Sequence, residues 1–105
     1  MAEAFQVTNN VAAGRFEVVR GGDVAFAEYR RVPQGLLLPH TVVPEAFAGQ
    51  GVGSALARTA LDYARAEGLK VLPTCTFMAG WISKHPEYAD VVHPDYRERL
   101  GLSAS

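Results

Sequence analysis

The 105 residues carry 10 Lys and Arg against 11 Asp and Glu, for a net charge of −1, and 49% of them are hydrophobic. That length allows one domain with a modest core and little chain for a second, and the composition excludes a disordered or fibrous chain. Basic residues occur only in short clusters such as Arg30-Arg31, and no apolar run is long enough to span a bilayer, which excludes the electrostatic footprint of a nucleic-acid binder and a membrane-crossing helix.

Met1 to Asn10 has neither the basic start nor the apolar stretch of a signal peptide. Cys75 stands alone, so no internal disulfide forms and a reducing, cytoplasmic compartment is expected. Phe5 to Asn10 alternates weakly, as a short strand would, with a turn at Asn9-Asn10. Arg15 to Val19 is a clearer strand. Gly21-Gly22-Asp23 predicts a hairpin turn, and Val24 to Tyr29 its partner, with Ala25 and Ala27 on one face and Val24 and Phe26 on the other. Pro33-Gln34-Gly35 predicts a second turn. The apolar run Leu36 to Val43 suits a central strand covered on both faces, completing an antiparallel meander.

After a loop over Pro44 to Gln50, the spacing predicts an amphipathic helix from Gly51 to Glu67. Val52, Leu56, Ala60 and Ala64 step along one face, joined by Leu61 and Tyr63, while Arg58, Asp62, Arg65 and Glu67 face water. Gly68 ends the helix. Leu69 to Leu72 is a short strand, Met78 to Lys84 a second helix with Phe77 and Trp81 facing the core, and Glu87 to Val92 one more helical turn. Ser103 to Ser105 is expected to fray. A strand, helix and strand in succession form a right-handed crossover between parallel strands. The expected fold is therefore α+β (or α/β): a mixed, mostly antiparallel sheet, one main crossover helix and a short helical C-terminus, in a single domain over residues 1–105.

Three glycines, Gly49, Gly51 and Gly53, sit where the strand gives way to the helix. The first turn of a helix has N–H groups without intrahelical partners, at the positive end of the macrodipole, and a phosphate placed there accepts several hydrogen bonds. Glycine removes the side chains that would hold it off. The competing explanation is a tight turn and close helix–sheet packing. A Walker loop is ruled out because Gly53-Ser54 lacks the lysine. A dinucleotide fingerprint is ruled out because position 54 is Ser54 and no acid follows in Leu69 to Pro73.

Pro44-Glu45-Ala46-Phe47-Ala48-Gly49-Gln50-Gly51-Val52-Gly53 resembles the cofactor motif of the GCN5-related N-acetyltransferases, Arg/Gln-x-x-Gly-x-Gly/Ala, with Ala48 in place of the usual Arg or Gln. Together with His40-Thr41-Val42-Val43-Pro44, Pro73-Thr74-Cys75 and Lys84-His85-Pro86-Glu87-Tyr88, it is similar to the minimal single-domain members of that family, the YjdJ-like group, from about Arg15 to Val92. The resemblance implies transfer of an acetyl group from acetyl-CoA to an unidentified amine acceptor. Gly49, Gln50, Gly51, Val52, Gly53 and Ser54 would receive the pyrophosphate. Thr41 and Val42, with His40 before them, would pair with the pantetheine arm where the fourth and fifth strands part, placing Cys75 near the thioester.

A thiolate at Cys75 would take the acetyl group and pass it on, with His40 as its base; otherwise Cys75 is a small apolar residue and the amine attacks directly. The tyrosine acid of larger relatives has no counterpart between Thr76 and Trp81, where Phe77 and Trp81 would pack in the core or wall the acyl pocket, and Tyr88 is expected to pack. Lys84 and His85 would reach the cofactor's 3′-phosphate, or form a solvated helix end. His93 is expected at the surface, and no side-chain group has metal-ligand spacing. Two other functions remain open: a CoA-binding module with little turnover, and an interaction domain on the same fold.

Overall fold

A computed structural model describes residues 6–101. The first strand, β1 (Thr8–Asn10), pairs antiparallel with β2 (Arg15–Arg20), and β2 with β3 (Asp23–Glu28) across the turn at Gly21 and Gly22. Both turn glycines have positive φ, as a tight hairpin requires. The expected strand start at Phe5 and the expected fraying of Ser103 to Ser105 lie outside the described residues. Ala25 and Ala27 are buried under the main helix, and Phe26 lies on the opposite face, as the alternation predicts.

The run Leu36 to Val43 is not one central strand. It divides into β5 (Gly35–Leu37) and β6 (Thr41–Val42), which belong to different sheets. Pro39 lies at the break. It has no N–H to give a ladder, and its ring restricts Leu38 before it. β4 (Arg30–Val32), which the sequence pattern left unassigned, forms a hairpin with β5 around Pro33 and Gln34. The result is a four-stranded antiparallel sheet, β1-β2-β3-β6, and a three-stranded sheet, β4-β5-β7, where β7 is Val71–Leu72. The chain passes directly between the sheets at Tyr29 and at residues 38–40, where the two bends form a seam, and a third time through the main helix.

The helix α1 (Val52–Glu67) crosses from β6 to β7 and buries Val52, Leu56, Ala57, Ala60, Leu61 and Ala64. Gly68 ends it at φ 71°, and Leu69 N–H donates back to Ala64 O at 2.8 Å. β7 then runs parallel to β5, Leu36 opposite Val71 and Leu37 opposite Leu72. The crossover thus returns to β5, not to β6. Helix α2 (Thr76–Ser83) starts two residues earlier than the spacing suggests, and Pro86–Val91 is a 3-10 helix. A final turn, α3 (Pro94–Arg97), is capped by His93, whose Nδ1 accepts from Asp95 N–H. His93 is half-buried rather than a surface residue, because its N–H also donates to Val71 O at 2.9 Å. One apolar cluster links the strands, α1 and α2 from Phe16 to Val92. Among the described residues no helix is long and apolar enough to cross a membrane.

Candidate functional site

The front of α1 is built from the glycine stretch. Gly49 (φ 75°) and Gly51 (φ 77°) are left-handed, and a methyl group on either would meet nothing within 4 Å. They open outward, so their conformation serves the turn and leaves space above it. Among the described residues, the N–H groups of Gly49, Gly51, Val52, Gly53 and Ser54 make no hydrogen bond; the first helical bond is Ala55 N–H to Gly51 O at 3.0 Å. Gln50 differs from its neighbours. Its N–H donates to Phe47 O at 3.3 Å, its Nε2 to Ala46 O at 3.0 Å, and its Oε1 accepts from Arg20. Five free donors beneath open space fit a diphosphate.

Three side chains that the sequence did not single out for this region surround it. Arg20, at the end of β2, brings its guanidinium to Gln50 and to within 5.2 Å of the Phe47 ring. Trp81 Nε1 donates to Ser54 Oγ at 2.8 Å. The Ser54 oxygen is thereby engaged, and its own hydrogen is left to point at a ligand. Trp81 is buried between the Arg58 guanidinium, 5.3 Å from its ring, and the His85 imidazole, stacked at 3.7 Å. Phe77, expected in the core, is instead 39% exposed. Its Cζ lies 2.8 Å from where a Gly53 Cβ would stand, so the ring covers the first turn of α1.

β6 forms the other wall. It is an edge strand with β3 on one side only, Thr41 opposite Ala27 and Val42 opposite Phe26. At Leu38 the strands are still joined, since Leu38 N–H donates to Leu72 O and Cys75 N–H to Leu38 O, each at 3.1 Å. Beyond it they part. Cys75, half-buried at the N-cap of α2, closes the gap with its Sγ 3.5 Å from Thr41 Oγ1.

His40 is not brought to Cys75. Its carbonyl accepts from Glu28 N–H at 2.8 Å and its exposed ring lies against Phe26, 6.3 Å between centroids. That is the opposite face of the sheet from Thr41, because neighbouring residues of a strand alternate. Lys84 is exposed at the end of α2, three residues after Trp81 and so on the same side of the helix. Tyr88 is buried, its hydroxyl donating to Asp62 Oδ1 at 3.0 Å; burial first, and that bond second, raise its pKa above the ordinary 10.0.

A family model described as GCN5-related N-acetyl-transferase matches residues 15–91. The protein called NATD1 of Xenopus tropicalis is 38% identical over 63 residues, which are 60% of this chain and 52% of that protein. The NATD1 proteins of Danio rerio, 36% identical with coverage of 60% and 52%, and of Homo sapiens, 38% with 60% and 50%, are similar over the same length. The chain thus spans about half the length of these relatives.

Proposed function

Because the chain belongs to the GCN5-related N-acetyl-transferase family, we propose that it transfers an acetyl group from acetyl-CoA to an amine, as a minimal, YjdJ-like member whose one domain covers residues 1–105. The observation that carries this reading is the set of unpaired N–H groups at the front of α1, beside the free edge of β6. The donors of Gly49 and of Gly51 to Ser54 hold the diphosphate, and Gln50, its own amide engaged, braces the loop. Arg20 brings a cation to the loop in which Ala48 supplies none, and Lys84 reaches a terminal phosphate. The edge of Thr41 and Val42 pairs with the amide groups of the pantetheine arm. Val43 and Phe77, 37% and 39% exposed, give that arm apolar contact.

Acetyl-CoA supplies a thioester carbonyl open to nucleophilic attack. In direct transfer the amine nitrogen bonds to that carbon, the carbon–sulfur bond breaks, the thiolate leaves and the nitrogen sheds a proton. His40 is the acceptor for that proton, on the face opposite Cys75. The placement of His40 favours this route over an acetyl-cysteine, since the Cys75 thiol meets Thr41 Oγ1 and not a base. Cys75 then lines the gap at the thioester.

The test is titration of the labelled protein with CoA, followed by acetyl-CoA consumption with a panel of amines. Saturable shifts of the Gly51 and Gly53 amide signals, and amine-dependent release of CoA, are expected. Shifts without turnover would leave a CoA-binding module; no shift at millimolar CoA would leave an interaction domain.

A further inference from the structure

A cavity of about 260 Å³ opens at the seam between the two sheets. Its walls are the turn at residues 11–14, the bend Glu28-Tyr29-Arg30 and Pro39. The turn is pinned there by Tyr29 N–H, which donates to Gly14 O at 3.0 Å. Pro39 belongs to the same stretch whose Leu38 carbonyl holds Cys75 N–H and whose Thr41 meets the Cys75 thiol. Residues 38–41 thus border the cavity through Pro39 and the gap between β6 and β7 through Leu38 and Thr41.

Two charged residues line this cavity, Glu28 and Arg30. Glu28 stands directly opposite Arg15 across the β2–β3 ladder. The Arg15 guanidinium turns instead to Glu17 and lies 4.4 Å from the Phe26 ring centroid. Arg31 is engaged by Tyr63 and Glu67, but Arg30 is not. Among the described residues neither the Glu28 carboxylate nor the Arg30 guanidinium has a hydrogen-bond or ion-pair partner. They are two residues apart, with only Tyr29 between them, so their stems stand no more than about 7 Å apart. His40, whose carbonyl holds Glu28 N–H, borders the same face.

We propose that this cavity binds the amine acceptor, and that the acceptor is a small zwitterion of amino-acid or dipeptide size, its ammonium on Glu28 and its carboxylate on Arg30. This rests on reading the chain as an acetyltransferase. A plain amine would be repelled by Arg30, whereas a molecule with both charges satisfies both side chains. The volume is below the range of about 300–1,000 Å³ usual for larger ligands.

Glycylglycine titrated into the labelled full chain is the probe. It should shift the Gly14, Tyr29 and Arg30 amide signals saturably, with ethylamine and acetate binding at least about tenfold more weakly. Glu28→Gln and Arg30→Gln should each weaken it about tenfold, the loss of one charged hydrogen bond. Both variants should keep the wild-type shifts of Gly51 and Gly53 with CoA, which also shows that they are folded. Equal binding of ethylamine, or variants that bind glycylglycine as tightly as the wild type, would overturn the proposal. If CoA fails to move Gly51 and Gly53 while glycylglycine behaves as stated, the acetyl-transfer reading falls and the cavity stands as a site for zwitterions.

Discussion

Gly51 and Gly53 lie two residues apart and do different things. Gly51 is left-handed, a conformation that costs an L-residue about 1–2 kcal/mol. Gly53 is helical, and the nearest atoms a Cβ there would meet are at the end of the Phe77 ring, a side chain 39% exposed. Gly51→Ala should therefore lower stability by about 1 kcal/mol, and Gly53→Ala should leave it unchanged or raise it slightly, as glycine is a poor helix former. Both should weaken CoA binding; paired thermal melts and CoA titrations separate the two effects. For Cys75, direct transfer predicts that Cys75→Ala keeps most activity and that acetyl-CoA leaves no acetyl mass on the Cys75 peptide. Stable acetylation with loss of activity would restore the covalent route. The glycine turn at the front of α1 and the place of Cys75 just after β7 were legible in the sequence, because each is a local pattern between elements. The Trp81–Ser54 bond and the place of Phe77 were not, since they depend on how α2 is rotated against α1. Arg20 meets Gln50 across 30 positions of sequence, with no local signal to announce it.

At the scale of elements, α1 was readable because a period of 3.6 over four turns has few rivals, and its exposed and buried faces agree with the pattern. The run before it was misread because apolar character reports burial and not pairing: Leu36 and Leu38 are both buried, yet Pro39 ends the ladder between them and β6. Gly35 shows a similar gap in the reading. It looks like a turn residue, but it begins β5 at φ 146°, and a Cβ there would stand 2.0 Å from Lys70 O. That oxygen accepts Leu36 N–H at 2.8 Å, so it cannot withdraw without breaking β5 from β7. Gly35→Ala should cost more than about 3 kcal/mol, beyond the usual range for a single substitution, and denaturant unfolding measures it. A loss below about 1 kcal/mol would mean that the two strands are not held this tightly.

For the whole molecule, pH acts through a few bonded side chains. The Arg15 guanidinium, and then the Asn10 amide, hold the Glu17 carboxyl below its ordinary 4.5. A depressed carboxyl contributes stability above its unfolded pKa and loses it as pH falls through the folded value. Unfolding measured at pH 7 and then below pH 4.5 should show Glu17→Gln less stable than the wild type at neutrality, with the gap closing on acidification. Tyr88 works in the other direction. Its raised pKa gives stability present below pH 10.0 and lost as pH climbs through the folded value, and Tyr88→Phe should remove that alkaline loss.

β6 is two residues long and stands between Pro39 and Pro44. A bare strand rim invites a neighbouring polypeptide to zip onto it, and proline is one of the means by which natural sheets refuse such company. Here the two prolines leave a berth only two rungs deep. A foreign chain gains too few rungs to stay, while a slender guest with a couple of amide groups needs no more, so a rim left bare need not be a place where further copies attach.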